Sequence, residues 1–447
     1  MKLDWGKTFL IGFGFFGISV MWQIYDSFVP IYLQSGNPLF ASTRHVLGFG
    51  LSATLTGFIM TLDNIVAIFI LPLVGMLSDR TRTPIGRRYP YILTAAPVAA
   101  FAFFLIPLAA SRINPATNGS VADNVGAFAL FMTGAGLMLL AMAVLRTPVI
   151  TLMPDLTPSP LRSKANGVIN LMGGVGTVIA TIVVARLFDI NQFIPFVAAL
   201  ALLLIAVFLL FTTVREPRIE ELEAVTHEKS EEEEALVGLK GVRSIPADNR
   251  RSLILLLLAI FCWFVGYSGT STFFTSYAVN VLGVTEGFAP TLFGIAGITF
   301  ILFAIPAGFI GERIGRRRTI MGGLGAFAIL LVIAYFIPNT AVIGAILALG
   351  GVSWAMVNIN SLPMVVDMTR DPRLLGTFTG LYYLASQLAS SSGPTLSGVL
   401  IDLTGRNYSA IFLLTPAFFV LAILCMAFVR HGEAHVASTE AAAISAD

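Results

Sequence analysis

Between about residues 9 and 33 the chain carries a single charge, Asp26, and eleven more stretches like it follow. A helix that crosses a bilayer needs about 20 mostly apolar residues, because lipid offers no partner to backbone N–H and C=O groups. Runs of that length fall at about 9–33, 52–77, 90–111, 126–151, 165–188, 193–214, 253–281, 290–311, 318–338, 341–365, 376–400 and 407–430. They predict an all-α integral membrane protein with twelve transmembrane helices and the lipid bilayer as its solvent. Only 12% of the residues are charged, against about 25% in soluble chains. The net charge of +2 gives no footprint for nucleic acid.

The spans group as six and six. Residues 1–214 form a first six-helix bundle, 215–251 an acidic linker, 252–430 a second bundle and 431–447 a flexible tail. If both termini are cytoplasmic, 22 of the 27 Lys and Arg residues lie inside, four lie outside and Arg146 lies within a helix. That asymmetry sets the orientation, with linker and tail cytoplasmic in a cell (inner) membrane. Lys2 and Lys7 precede a run too long for a signal-peptide core, so the first helix reads as an anchor. The linker, with Glu216, Glu220, Glu221 and the run Glu231 to Glu234, reads as a solvated tether, the alternative being a docking segment.

Two short segments recur in the two bundles. Ser78-Asp79-Arg80, with Gly86-Arg87-Arg88, is echoed by Gly311-Glu312-Arg313 with Gly315-Arg316-Arg317. Met153-Pro154-Asp155-Leu156-Thr157 is echoed by Val365-Val366-Asp367-Met368-Thr369. Duplicated halves are a common architecture of secondary transporters. Carboxylates and guanidiniums in loops this short can pair across the ends of helices. Asp79, Arg80, Gly86, Arg87, Arg88, Asp155, Arg162, Glu312, Arg313, Gly315, Arg316 and Asp367 are therefore expected to form a cytoplasmic gate; the alternative is that they only set topology.

Several familiar patterns are excluded. Gly12-Phe-Gly14-Phe-Phe-Gly17 spells a dinucleotide fingerprint but lies in a spanning helix with no strand before it. His431-Gly-Glu-Ala-His435 has the wrong order for a zinc helix. Cys262 and Cys425, both within apolar runs, read as buried thiols. No cofactor, metal or catalytic residue is expected; a membrane enzyme or receptor is the out-of-class alternative.

Charges inside apolar runs are the clearest functional signal. Asp26, Asp63 and Arg146 each cost at least about 2.5–3.5 kcal/mol at mid-bilayer, so each is expected to face a cavity or partner. At 1.5 Å per residue, Asp26 and Asp63 reach similar heights and Arg146 sits lower. A carboxylate held away from water takes up a proton more readily, so Asp26 and Asp63 are the candidate proton-coupling groups. Polar and aromatic residues at helical spacing supply the candidate substrate contacts: Trp22, Gln23, Arg146, Asn170, Tyr267, Phe274, Trp354, Asn358 and Gln387. Amides hydrogen-bond sugar hydroxyls and aromatic rings pack on a sugar's apolar face; the competing reading is helix packing.

Gly75-x-x-Ser78-Asp79-Arg80 with Gly86-Arg87-Arg88, and its second-half echo, resemble the loop motif of the major facilitator superfamily. The form Gly-Arg-Arg-Tyr-Pro-Tyr-Ile at 86–92 is similar to that of sucrose-type and glycoside–pentoside–hexuronide cation symporters. Leu152 to Leu156 with Arg162 to Gly167, Asn358 to Pro363, and Gly380 to Tyr383 resemble further segments of the same transporters. The resemblance implies two rocking bundles, a monomer, a small-molecule substrate (a disaccharide or other glycoside) and a proton as coupling ion. It also implies a cavity lined by helices 1, 4, 7 and 10. Two departures stand out. Melibiose-type relatives have an acidic pair where this chain has Ala67 and Leu71, and plant-type sucrose porters have an arginine where it has Ile150. A proton-driven exporter of amphipathic molecules is the alternative.

Overall fold

The computed structural model describes residues 5–157, 161–216, 247–368 and 374–432. The repeat segments at 158–160 and 369–373, the linker from 217 to 246 and the tail from 433 lie outside that set, as does the side chain of Arg162. Twelve long helices carry the fold: α1 Trp5–Gln34, α2 Ala53–Arg80, α3 Tyr89–Ala110, α4 Val125–Leu156, α5 Arg162–Ile179 and α6 Ile194–Thr213 in the first half. The second half holds α7 Ala247–Leu282, α8 Ala289–Ile314, α9 Arg316–Phe336, α10 Thr340–Val366, α11 Leu375–Leu403 and α12 Ile411–Ala427. Helix α7 starts inside the segment read from sequence as linker. Helix α5 continues through a π turn, Ala180–Val184, and a 3₁₀ turn, Ala185–Asp189.

Among the described residues, eleven helices are long and apolar enough to cross a membrane by composition alone. The exception is α11, whose middle holds Gln387, Ser390, Ser391 and Ser392. It is nevertheless 29 residues long, about 43 Å at 1.5 Å per residue. Its hydroxyls bond back to the helix (Ser391 Oγ to Gln387 O, 2.8 Å; Ser392 Oγ to Leu388 O, 3.1 Å). Packing against α2 and α7 shelters it from lipid.

The duplication seen in the sequence is a duplication of packing. In the first half α1 packs on α5 and α6, α2 on α4, and α3 on α4 and α6; in the second half α7 packs on α11 and α12, α8 on α10, and α9 on α10 and α12. The halves meet mainly through α2 against α11, α5 against α8 and α1 against α7. The first contact needs glycine. A Cβ on Gly57 would lie 2.3 Å from the Pro394 carbonyl oxygen, and one on Gly398 would lie 2.2 Å from that of Ala53. Both positions are near the α2 N-terminus, at the end of the molecule opposite the charged loops.

Candidate functional site

The carboxylates of Asp26 on α1 and Asp63 on α2 line one cavity of about 200 Å³. The first half adds Gln23, Met60 and Asn64; the second half adds Ser268, Ser271, Thr272, Phe293, Ser390 and Pro394. The cavity therefore lies between the halves and is faced by hydroxyls and amides. Asp63 Oδ1 accepts from the backbone and side-chain nitrogens of Asn64, both at 2.6 Å. Asp26 has no hydrogen-bond partner among the described residues. The Tyr25 hydroxyl, fully buried and without a hydrogen-bond partner among the described residues, lies within electrostatic reach of both carboxylates. Gln23 donates to Ser27 Oγ at 3.4 Å.

Arg146 on α4 makes no ion pair within the described residues, but it interacts electrostatically with Asp63 and with Tyr383 of the opposite half. Both Arg146 and Tyr383 are exposed. Solvent thus reaches both side chains, which come from opposite halves.

A second cavity of about 250 Å³ shares Phe293 with the first. Its wall is apolar apart from Asn170, Tyr267, Trp354 and several threonines. Tyr267 and Trp354 stack at 4.1 Å between centroids with planes 3° apart, and Phe264 meets Trp354 edge-on at 5.6 Å. Asn170 donates to Asn166 O at 3.0 Å. The remaining candidates lie elsewhere. Phe274 is buried against Tyr277 and Phe293. Trp22 meets Tyr25 edge-on with its Nε1 buried and unpartnered. Asn358 and Gln387 are half-buried and line neither cavity.

The charged loops pair within their own halves. Arg87 Nη2 is 2.7 Å from Asp155 Oδ1, Arg88 Nε is 3.1 Å from Asp155 Oδ2, and Arg88 also reaches Asp79 and Ser78. Gly86, at φ +106, makes the turn, and a Cβ there would strike Glu216. Glu216 accepts from the Arg88 N–H at 2.9 Å, and its burial pushes the carboxyl above the usual carboxylate range. The first residues of the linker are thus part of this cluster. In the second half Gly315, at φ +94, turns the chain so that Arg316 pairs with Asp367, the repeat of Arg87 with Asp155. Arg80, Glu312 and Arg313 are exposed at helix ends.

Opposite the charged loops the halves are fastened together, and the sequence reading missed this entirely. Asp402, at the end of α11, accepts from Ala53 N (3.1 Å), Thr54 N (2.8 Å) and Thr54 Oγ1 (2.6 Å), capping α2. Asp189, after α5, accepts from Thr285 Oγ1 (2.6 Å) and Gly287 N (3.1 Å), just before α8. The two are pseudo-symmetric: each places a carboxylate from one half on the N-terminal donors of a helix in the other. Glu286, fully buried, holds Ser42 and Thr43. Gln34, also fully buried, donates to Ser276 Oγ at 3.0 Å and accepts from Tyr408 at 2.6 Å. Thr61 meets Thr395 at 3.1 Å, directly above the carboxylate cavity. No local signal could have paired these residues, since each bond spans 242 or more positions except those of Asp189, which span 96 and 98.

This fastening has a measurable consequence. Each helix-capping carboxylate contributes about 0.3–1 kcal/mol at exposed sites and up to about 2 when partly buried. The double variant Asp189→Asn/Asp402→Asn is expected to weaken closure by about 2 kcal/mol, roughly a thirtyfold population shift. Spin labels at Ile190→Cys and Phe336→Cys, both at exposed positions at this end, should report a longer distance component in the variant. An unchanged distance distribution would remove the latch assignment.

Comparisons with known proteins agree with the fold. A profile of the family described as MFS/sugar transport protein matches residues 10–430. The sialic acid transporter NanX of Escherichia coli (strain K12) is 29% identical over 183 residues, 40% of this chain and 44% of that one. The general alpha-glucoside permease of Schizosaccharomyces pombe is 26% identical over 231 residues, 50% of this chain and 42% of that one. The chain thus spans less than half the length of these curated relatives. Among solved structures, a D-xylose-proton symporter superposes with a TM-score of 0.61 at 17% identity, covering 95% of this chain and 97% of that one. A nucleoside transporter gives a TM-score of 0.67 at 16% identity, covering 94% and 100%.

Proposed function

From the premise that the chain belongs to the MFS/sugar transport protein family and is a membrane transporter rather than an enzyme, we propose that it is a proton-coupled symporter of a small glycoside or disaccharide, working by alternating access in the cell membrane. The observation that carries this reading is Asp26, a carboxylate within the apolar spanning helix α1 that lines a cavity between the halves and has no hydrogen-bond partner among the described residues. A charge in that position is costly, and taking up a proton relieves the cost. Asp63, steadied by Asn64, is the second proton site. Arg146, beneath them, draws the proton off Asp63 by stabilising its charged form once the pair is brought closer.

With the basic loops taken as cytoplasmic, the structure is the inward-facing state. The latches at Asp189 and Asp402 close the outer face, and the space between Arg146 and Tyr383 leads inward. Proton and solute enter when those latches open, and both leave through this space. One copy suffices for this cycle, since each bundle supplies one wall of the site.

Uptake by proteoliposomes under an imposed inward proton gradient tests the reading. Radiolabelled sucrose, maltose and methyl glucosides should accumulate above equilibrium, faster as external pH falls. No accumulation across such a panel would sink it, and efflux of amphipathic dyes dependent on Asp26 would favour an exporter instead.

A further inference from the structure

Two adjoining cavities of opposite character share a single wall, Phe293. One is lined by carboxylates, amides and hydroxyls, the other by aromatic and aliphatic groups around the stacked Tyr267–Trp354 pair. No charged side chain lines the second cavity, and its threonine hydroxyls are already engaged: Thr270 with Thr415 at 2.6 Å, Thr181 with Thr177 O at 3.0 Å, Thr177 with Gly173 O at 3.3 Å. A second sugar ring placed there would lose most of its water partners, with only Asn170, Tyr267 and Trp354 offering polar atoms in exchange. A flat apolar group would instead gain ring contact and shed its hydration.

We propose that the preferred solute is an uncharged glycoside with a flat, apolar aglycone. The glycone occupies the carboxylate cavity beside Gln23 and Asn64, and the aglycone passes Phe293 to lie against Tyr267 and Trp354. This rests on the symport reading for transport, and on the two cavities alone for binding. Asn170, from the first half, lines the aglycone site from across the interface.

The test compares 4-nitrophenyl α- and β-D-glucosides with sucrose, using the full chain. Binding is read as quenching of tryptophan fluorescence in detergent and transport as uptake into proteoliposomes. The better nitrophenyl glucoside is expected to half-saturate both signals at a concentration about tenfold lower than sucrose. In Trp354→Ala that ratio should fall to about one, whereas Trp354→Phe should keep most of it. A wild-type ratio near one overturns the inference whether or not the variants fold, as does a tenfold ratio that survives Trp354→Ala. The two proposals fail separately. Preferential binding without gradient-driven uptake sinks symport and leaves the ligand class standing. Gradient-driven uptake without aglycone preference does the reverse, and neither binding nor uptake overturns both.

Discussion

Reconstituted Asp63→Asn protein is expected to equilibrate its glycoside across the membrane without concentrating it. Under an inward proton gradient the wild type should accumulate solute several-fold, and the variant should stop at a ratio of one. The substitution keeps the size of the side chain and an oxygen able to accept the 2.6 Å bonds from Asn64, so the site should survive. What it removes is the negative charge that is proposed to bind the proton and that interacts with Asp26 and Arg146. Exchange of labelled for unlabelled solute needs no net proton transfer and should persist within about tenfold, since the substitution keeps a hydrogen-bonding oxygen in the cavity that the glycone is proposed to occupy. Asp26→Asn should behave in the same way. The pH dependence follows in sign: wild-type uptake rises as external pH falls, because protonation on the outside precedes closure, and each variant's profile should be flatter. If both variants still drive uphill uptake, the carboxylates have been misassigned.

The second large effect is structural. Arg88 is 3% exposed, and its guanidinium joins Asp79, Asp155 and Ser78 at one point. Removing one member of a buried ion pair costs about 3–5 kcal/mol, because the partner is left charged and unpaired. Asp79 is 57% exposed and Asp155 keeps Arg87 at 2.7 Å, so water and Arg87 recover part of that cost and the low end, about 3 kcal/mol, applies. Arg88→Ala should therefore lower the thermal midpoint of the detergent-purified protein by about 5–10 °C. Arg80→Ala, at the exposed end of α2, should stay within about 1 °C. Equal midpoints for the two variants would mean that the cluster does not hold the ends of α2 and α4 together.

Much of this fold was legible because lipid makes span length and polarity explicit. The run read at 126–151 became α4, and the one at 376–400 became α11 despite its serines. The repeat was legible at Arg87 and Asp155 because its echo, Arg316 and Asp367, keeps the same residue types, and the structure joins both pairs. The heights of Asp26 and Asp63 followed from helical rise, and one cavity contains both. Helical spacing was less informative about facing. Phe274 shares a periodic stripe with Tyr267, yet its ring lies in the core against Tyr277. Asn64 was invisible because an amide beside an acid carries no periodic signal, and Phe293 because one phenylalanine among 35 has nothing to distinguish it. The outer latches were unreadable for a different reason: Asp402 and Asp189 look like ordinary helix-end acids until the opposite half is set against them.

The most direct test is a measurement of proton movement evoked by solute alone. Proteoliposomes containing the wild-type protein and an internal pH dye, with no imposed gradient and with potassium and valinomycin holding the membrane potential at zero, receive an external pulse of 4-nitrophenyl glucoside or sucrose. Symport requires internal acidification that tracks solute entry and is absent from Asp63→Asn liposomes. Solute entry with no pH change, or with alkalinisation, would contradict proton symport.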